Sequence, residues 1–223
     1  QAMLGCCGKD CAACGKCVKA CPGGALEMAG MRMKPSEIAE KAARDKPFYD
    51  NSGGGVTISG GEATAQPAFL LDTLDRIRER GIQTALETCG FFPLDLVDSL
   101  ILRVDLFLFD LKHIDDEKHK RHTGVSNRKI HDNFMEIRAK AGAERLVPRI
   151  PLIPDFNTSP EDIRGFIEFL KDSGHPGPVH LMPYNPFAKT KWEKVGRGSE
   201  YRKYRELPEE ELQEIIQELE EER

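Results

Sequence analysis

Six of the seven cysteines fall between Cys6 and Cys21, and four of them, Cys11, Cys14, Cys17 and Cys21, follow the pattern C-x2-C-x2-C-x3-C-P. Short loops at that spacing can bring thiolates around one iron–sulfur cube, which makes a [4Fe-4S] cluster the chemistry this run suits best. Two other readings use the same atoms. A zinc knuckle also needs thiolates, although zinc sites usually separate two cysteine pairs by a longer loop, and the third reading is a set of reduced surface thiols. Where such runs serve two clusters, the fourth cysteine ligates the other one. Cys21 therefore belongs either with Cys11, Cys14 and Cys17 or with a second run of which Cys6 and Cys7 are remnants.

A second group of chemically capable residues is spread along the chain as Ser59-Gly60-Gly61-Glu62, Glu87-Thr88-Cys89-Gly90, Asp110-Leu111-Lys112 and Arg149. Gly60 and Gly61 allow backbone to approach another body closely or to take φ > 0, and Glu62 adds a carboxylate beside them. On its own such a glycine turn is as often a plain strand-to-helix connection. What gives the group weight is the pattern around it. Each member ends a strand-like run: residues 56–58, 82–88, 104–112, 145–152 and, farther on, 179–183. Helical patterns intervene over 34–44, 66–80, 93–102, 127–141, 159–172 and 208–222, with apolar residues recurring every three to four positions and a capping box at Ser159 to Asp162.

Strands alternating with helices imply a parallel sheet with right-handed crossovers, either a β/α barrel or an open sheet. Ligands bind at the carboxyl ends of such strands, which is where these polar residues fall. The run 104–112 is nearly unbroken in apolar character, as a strand buried on both faces requires, and 56–58 reads as a short buried strand. Pro148 weighs against reading 145–152 as a strand. Residues 115–122 are too polar to contribute much core, and the histidines there, His113, His119 and His122, read as part of a solvated charged face. The segment 23–28 suits a short strand over a cluster.

With 223 residues, 39% of them hydrophobic, the chain can bury one sizeable core plus a small appendage. A lobe of residues 1–33 and a body of 34–223 are the expected domains. The net charge of −5, with basic residues scattered, gives no support to nucleic-acid binding. No membrane-length apolar run or signal peptide is present in the sequence, and a cytoplasmic location is expected.

Taken together and in order, Ser52 to Thr64, Glu87 to Gly90, Asp110-Leu111-Lys112-His113, Thr123-Gly124-Val125-Ser126-Asn127, Arg149 to Pro154 and Met182-Pro183-Tyr184 resemble the radical S-adenosylmethionine (SAM) enzymes that activate glycyl radical enzymes. The similarity is to the pyruvate formate-lyase activating type, with a ferredoxin-like insert at the cysteines. It implies a partial (β/α) TIM-like barrel holding five of about six strands. It also implies that a [4Fe-4S] cluster reduces SAM to methionine and a 5′-deoxyadenosyl radical, which takes a hydrogen atom from a backbone glycine of a partner enzyme. A reduced flavodoxin or ferredoxin would supply the electron. Carried over residue by residue, Ser59, Gly60, Gly61 and Glu62 would receive the SAM ammonium, and Lys112 and Arg149 would be catalytic and SAM-binding. Asn185 would sit near the ribose, and Glu87, Thr88, Asp110 and the Leu108 carbonyl would frame a monovalent cation.

Two departures from the family pattern stand out. The C-x3-C-x2-C loop that ligates the catalytic cluster in the family is missing from its usual place after a first strand, since only five residues precede Cys6. The string from Cys7 through Cys11 to Cys14 has the spacing but has no strand before it and places Ala13 where an aromatic is usual. A chain beginning Gln1-Ala2-Met3 is therefore expected to lack an amino-terminal segment and, as it stands, to be inactive. The second departure is Asn185 in place of a histidine. A noncatalytic iron–sulfur electron-transfer or interaction module on a β/α scaffold is the alternative these departures leave.

Overall fold

The computed structural model describes residues 12, 14–28, 30–194 and 198–222. Two compact units divide the chain: the described residues of Gln1–Met33 with Tyr184–Glu206, and Lys34–Pro183 with Leu207–Arg223. Residues 184–206, which the sequence pattern assigns to the body, group with the amino-terminal unit. In that smaller unit, α1 (Lys16–Ala20) begins after Gly15, whose φ of 73° a residue with a side chain would resist. Over the expected strand at 23–28, only an isolated bridge at Met28 forms. A helix at Ala188–Lys194 was not legible in the sequence.

The larger unit begins with α2 (Pro35–Arg44), whose first turn is closed by the Glu37 carboxylate accepting from the Lys34 N–H, and α3 (Lys46–Ser52). A sheet then alternates with helices: β1 (Gly55–Ile58), α4 (Pro67–Arg78), β2 (Gln83–Thr88), α5 (Leu96–Ile101), β3 (Leu106–Asp110), α6 (Asp116–Thr123), α7 (Arg128–Ala141), β4 (Leu146–Leu152), α8 (Pro160–Asp172) and β5 (His180–Pro183). Counting the helix of the smaller unit as α9, the carboxyl-terminal helix is α10 (Glu209–Glu221). All four strand pairings are parallel and the order is β1-β2-β3-β4-β5, the α/β arrangement of a partial TIM-like barrel. Among the described residues, no helix is long and apolar enough to cross a membrane.

The period of two along each strand sorts its side chains onto two faces. Leu86, Phe107, Phe109, Leu146, Ile150 and Leu152 are buried on one face, in a single cluster with Leu70 and Leu74 of α4, Leu100 of α5, Phe134 of α7, Phe166 of α8 and Leu219 of α10. Ala85, Glu87, Leu106, Leu108, Asp110 and Arg149 alternate with them and are only half-buried, so the other face is open. The sheet therefore departs from the expectation of strands buried on both sides. β1 departs further: among the described residues it pairs with β2 alone, and its residues alternate between exposed and half-buried.

Pro148 does occupy a central strand, and the reason it is tolerated is visible in the ladder. The Leu111 N–H donates to the Arg149 carbonyl at 2.9 Å, which turns the polar groups of residue 149 toward β3 and those of residue 148 toward β5. Pairing with β5 starts only at Arg149 opposite His180, so the missing N–H of Pro148 interrupts no bond. The polar stretch after β3 is also not a plain solvated face. It forms α6, capped by the Asp115 carboxylate, with His119 and the preceding His113 both buried. His119 Nδ1 bonds the Val125 carbonyl at 2.8 Å, and His113 Nδ1 accepts the Asp115 N–H at 3.0 Å.

Candidate functional site

The strand ends of the larger unit carry two polar constructions, one on each face of the sheet. On the open face the Arg149 guanidinium lies between two carboxylates. Its Nη2 is 2.5 Å from Glu87 Oε1 and 2.7 Å from Asp110 Oδ1, and its Nε donates to the same Asp110 oxygen at 2.9 Å. Lys112 Nζ stands 3.4 Å from Asp110 Oδ2. Three consecutive strands thus contribute, and Ser59, just beyond β1, is near enough to Glu87 to help lower its pKa. The Arg149 hydrogen bonds and, after the opposing effect of burial, Ser59 hold the Glu87 carboxyl below the usual range. Burial would lower the Arg149 pKa, but the bonds to Glu87 and Asp110 outweigh it and the net shift is upward.

The extremities of this network remain accessible. Lys112 and Glu87 keep 34% and 35% of their side-chain surface exposed, against 13% for Arg149, so the cation and anion at the rim can meet a ligand while the centre is held. Beside them the Gly60-Gly61 turn has φ values of 91° and 58°, and a Cβ built at either position meets nothing within 4 Å. Glycine is required here for backbone conformation, and the space above the turn is open. Main-chain carbonyls, an exposed ammonium and a carboxylate around open space suit a zwitterionic amino-acid group.

On the helix-covered face, Glu62 is consumed within the protein. Its Oε1 accepts from the Thr64 N–H (3.2 Å), the Thr64 hydroxyl (2.7 Å) and the Thr88 hydroxyl (2.8 Å), and its Oε2 accepts from the Cys89 N–H (2.8 Å). Burial raises the Glu62 pKa, but these bonds more than offset it and the carboxyl lies below its ordinary value. The Cys89 thiol beside it is pushed up, first by burial and then by Glu62. Gly90 follows with φ 73°, and any Cβ there would overlap the Phe109 ring at 2.1 Å. The Thr88 hydroxyl also accepts the Gly90 N–H at 3.0 Å.

The expected residues are therefore divided. Ser59, Glu87, Asp110, Lys112 and Arg149 are brought together, whereas the Thr88 hydroxyl is turned toward Glu62 on the opposite face. The guanidinium of Arg149 lies between Glu87 and Asp110 and offsets one of their two negative charges, and among the described residues no group of three His, Cys, Asp or Glu is arranged to hold a metal ion. In the smaller unit, Asn185 Oδ1 accepts the Phe187 N–H at 2.9 Å and so closes a local turn. Cys11 lies outside the described residues. Cys14, Cys17 and Cys21 are free thiols, with Cys17 and Cys21 one helical turn apart along α1 and its cap. Backbone N–H groups of Ala25 and Leu26, then of Gly23 and Gly24, point to the Cys21 sulfur and lower its pKa.

Three buried asparagines have roles that escape the sequence reading, although Asn127 stands within one of the segments that carry the resemblance. Asn133 donates to the Gly90 and Phe92 carbonyls, Asn127 to those of His113 and Ile114, and Asn157 to those of Lys112 and Pro151. Each ties down the chain just after a strand. Asn133 had a signal, since it falls on the apolar stripe of Ile130, Phe134 and Ile137 where a polar residue needs a reason.

A parallel sheet with its polar groups at the carboxyl ends of the strands defines the general class, and a family model specifies it. Residues 3–170 match the Radical SAM superfamily, to which the chain belongs. Within that superfamily it belongs to the glycyl-radical-enzyme activating enzymes, as its relatives show. It is 39% identical over 183 residues to the isethionate sulfite-lyase activating enzyme of Oleidesulfovibrio alaskensis, covering 82% of this chain and 59% of that one. It is 35% identical to the pyruvate formate-lyase-activating enzyme of Clostridium pasteurianum, over 74% of this chain and 68% of that one. A solved domain of pyruvate-formate lyase-activating enzyme from Bacteroides vulgatus superposes with a TM-score of 0.62 at 32% identity, covering 76% of this chain and 94% of that structure. Family membership brings SAM and a [4Fe-4S] cluster as cofactors. The chain spans about six-tenths of the length of the first of these relatives.

Proposed function

We propose that the protein activates a glycyl radical enzyme, with the open-face strand ends as its SAM seat. The observation that carries this reading is the linked series Glu87, Arg149, Asp110 and Lys112, with the open Ser59-Gly60-Gly61 turn at the neighbouring strand end. When bound, SAM and a reduced cluster supply one-electron cleavage of the sulfonium C–S bond, giving methionine and the carbon radical that removes hydrogen from a glycine Cα.

The chain's own residues position the reactant. Carbonyls of Ser59, Gly60 and Gly61 accept from the SAM ammonium, and the exposed end of Glu87 adds negative charge there. Lys112 binds the carboxylate as a mobile point charge. Arg149 is spent between Glu87 and Asp110, so its part is to keep three strand ends in register and to prevent the two carboxylates from repelling each other. Glu62 fixes the glycine turn to the end of β2. Asn185 belongs to the smaller unit, where its Oδ1 accepts the Phe187 N–H, and no SAM contact is assigned to it. Arg149 stands where a monovalent cation would bridge Glu87 and Asp110, which leaves that ion without a role in this reading.

Cys11, Cys14, Cys17 and Cys21 are proposed to hold a [4Fe-4S] cluster. The fit rests on the backbone N–H groups around the Cys21 sulfur, which favour a thiolate and are the hydrogen bonds that stabilise charge on cluster sulfurs. A reduced flavodoxin or ferredoxin is the proposed electron donor and the cytoplasm the proposed location. The test is iron and sulfide content of the anaerobically reconstituted full-length protein, including any chain that precedes Gln1, followed by an assay for 5′-deoxyadenosine after reduction with SAM. Cluster-dependent deoxyadenosine is expected, and its absence from a cluster-loaded sample would leave only an electron-transfer or interaction module.

A further inference from the structure

Asn157 lies in the loop after β4 and has no exposed surface. Its Nδ2 donates to the carbonyls of Lys112 (2.8 Å) and Pro151 (2.7 Å), and its Oδ1 accepts the Ile153 N–H at 2.8 Å. A primary amide offers two donors and two acceptor sites, so most of this one is committed to main chain at the ends of β3 and β4. The need for it follows from the sequence. After the Leu111 N–H to Arg149 carbonyl bond, the next rung of a parallel ladder would come from the N–H of residue 151, and Pro151 has none. The last paired residues are indeed Asp110 and Arg149. Beyond them Lys112 leaves the sheet with no ladder to direct it, and the Asn157 amide stands in for the absent rung.

Lys112 depends on that anchor because, among the described residues, its side chain is held weakly, by a 3.4 Å contact to Asp110. A flexible four-carbon stem is aimed chiefly by the backbone from which it leaves. We propose that Asn157 is a positioning residue for SAM: by fixing the Lys112 carbonyl against β4, it sets the direction from which Lys112 reaches the SAM carboxylate. This rests on the role given to Lys112 above.

The inference is tested by comparing SAM with decarboxylated SAM, which keeps the sulfonium, nucleoside and ammonium and lacks only the carboxylate. Binding is measured by anaerobic calorimetry on the intact, cluster-loaded protein. Asn157→Ala is expected to lose about tenfold in affinity for SAM, the effect of one misdirected charge-assisted contact. Affinity for decarboxylated SAM should be nearly unchanged, and in a Lys112→Ala background the same substitution should add nothing. If Asn157→Ala does not fold, Asn157→Asp keeps the acceptor for Ile153 and removes both donors, and the same comparison is made with it. Equal losses for the two ligands, no loss for either, or a full loss persisting without Lys112 would overturn the positioning role while leaving the SAM seat intact. A wild-type protein that binds both ligands equally would instead overturn the assignment of Lys112, and the inference with it.

Discussion

Glu62 and Glu87 are both carboxylates at the strand ends, yet one is built into the protein and the other is available. Glu62, on the helix-covered face, takes four hydrogen bonds from neutral donors on Thr64, Thr88 and Cys89. Glu87, on the open face, shares Arg149 with Asp110 and keeps a third of its side-chain surface in solvent. The difference arises one residue away, at Thr88, where the period of the strand turns the next side chain to the other face. Neutral donors fill the lone pairs of Glu62 and make it a clasp. A guanidinium shared between two carboxylates leaves oxygen lone pairs and an outlying Lys112 with which a zwitterion can pair.

Removing the centre of the open-face network gives the largest expected effect. In Arg149→Met, Glu87 and Asp110 face each other without the cation between them, and breaking such a largely buried pair costs about 3 kcal/mol. Urea unfolding should show that loss, with SAM binding abolished; an unchanged midpoint would mean that the network is not holding the strands. Glu62→Gln comes next, at about 1–2 kcal/mol, because an amide nitrogen replaces an oxygen facing protein donors. The acid limb separates the two faces further. The Glu62 pKa is depressed on folding, so its stabilisation is present above the unfolded value of 4.5 and is lost as pH falls through the folded pKa. Thermal midpoints between about pH 6 and pH 3 should fall less steeply in Glu62→Gln than in the wild type, whose other carboxylates are common to both. Parallel curves would remove Glu62 from the account.

Which of these residues could be read from the sequence depends on how local their cause is. The five strands and their polar ends were legible because hydrophobic runs and the charges closing them are local patterns, and Gly60-Gly61 was legible because glycine pairs mark turns. The split between Glu87 and Thr88 follows from the same period of two, but the strong resemblance of Glu-Thr to a ligand pair pointed both at one ion. Glu62 looked like a ligand because a carboxylate after a glycine turn is conspicuous, whereas its partners Thr88 and Cys89 stand in the next strand and cannot be paired with it without the register. Asn157 was the least visible. Its partners are main-chain carbonyls, which carry no sequence identity, and only Pro151, as a break in the ladder, announces that something must replace a missing bond. The half-exposed state of β1 was misread for a similar reason: Val56 and Ile58 look buried, but edge or centre is decided by partners elsewhere in the chain.

Two further substitutions bear most directly on the ligand. Gly60→Ala places a side chain at φ 91°, a strain of about 1–2 kcal/mol with no steric clash, since the added Cβ meets nothing. A lowered thermal midpoint together with weaker SAM binding is expected, because relief of the strain must rotate the carbonyls proposed to receive the ammonium. Lys112→Ala should separate the two properties altogether. Its ion pair with Asp110 is long and a third of its side chain is exposed, so the cost to stability is below about 0.5 kcal/mol and the unfolding midpoint should not move. SAM affinity should nevertheless fall about tenfold or more, since the carboxylate loses its cation, and raised ionic strength should weaken wild-type binding more than that of the variant. If Lys112→Ala instead destabilised the fold and left SAM binding alone, the open face would be a structural clasp like its counterpart, and the contrast between Glu62 and Glu87 would reduce to a difference in exposure.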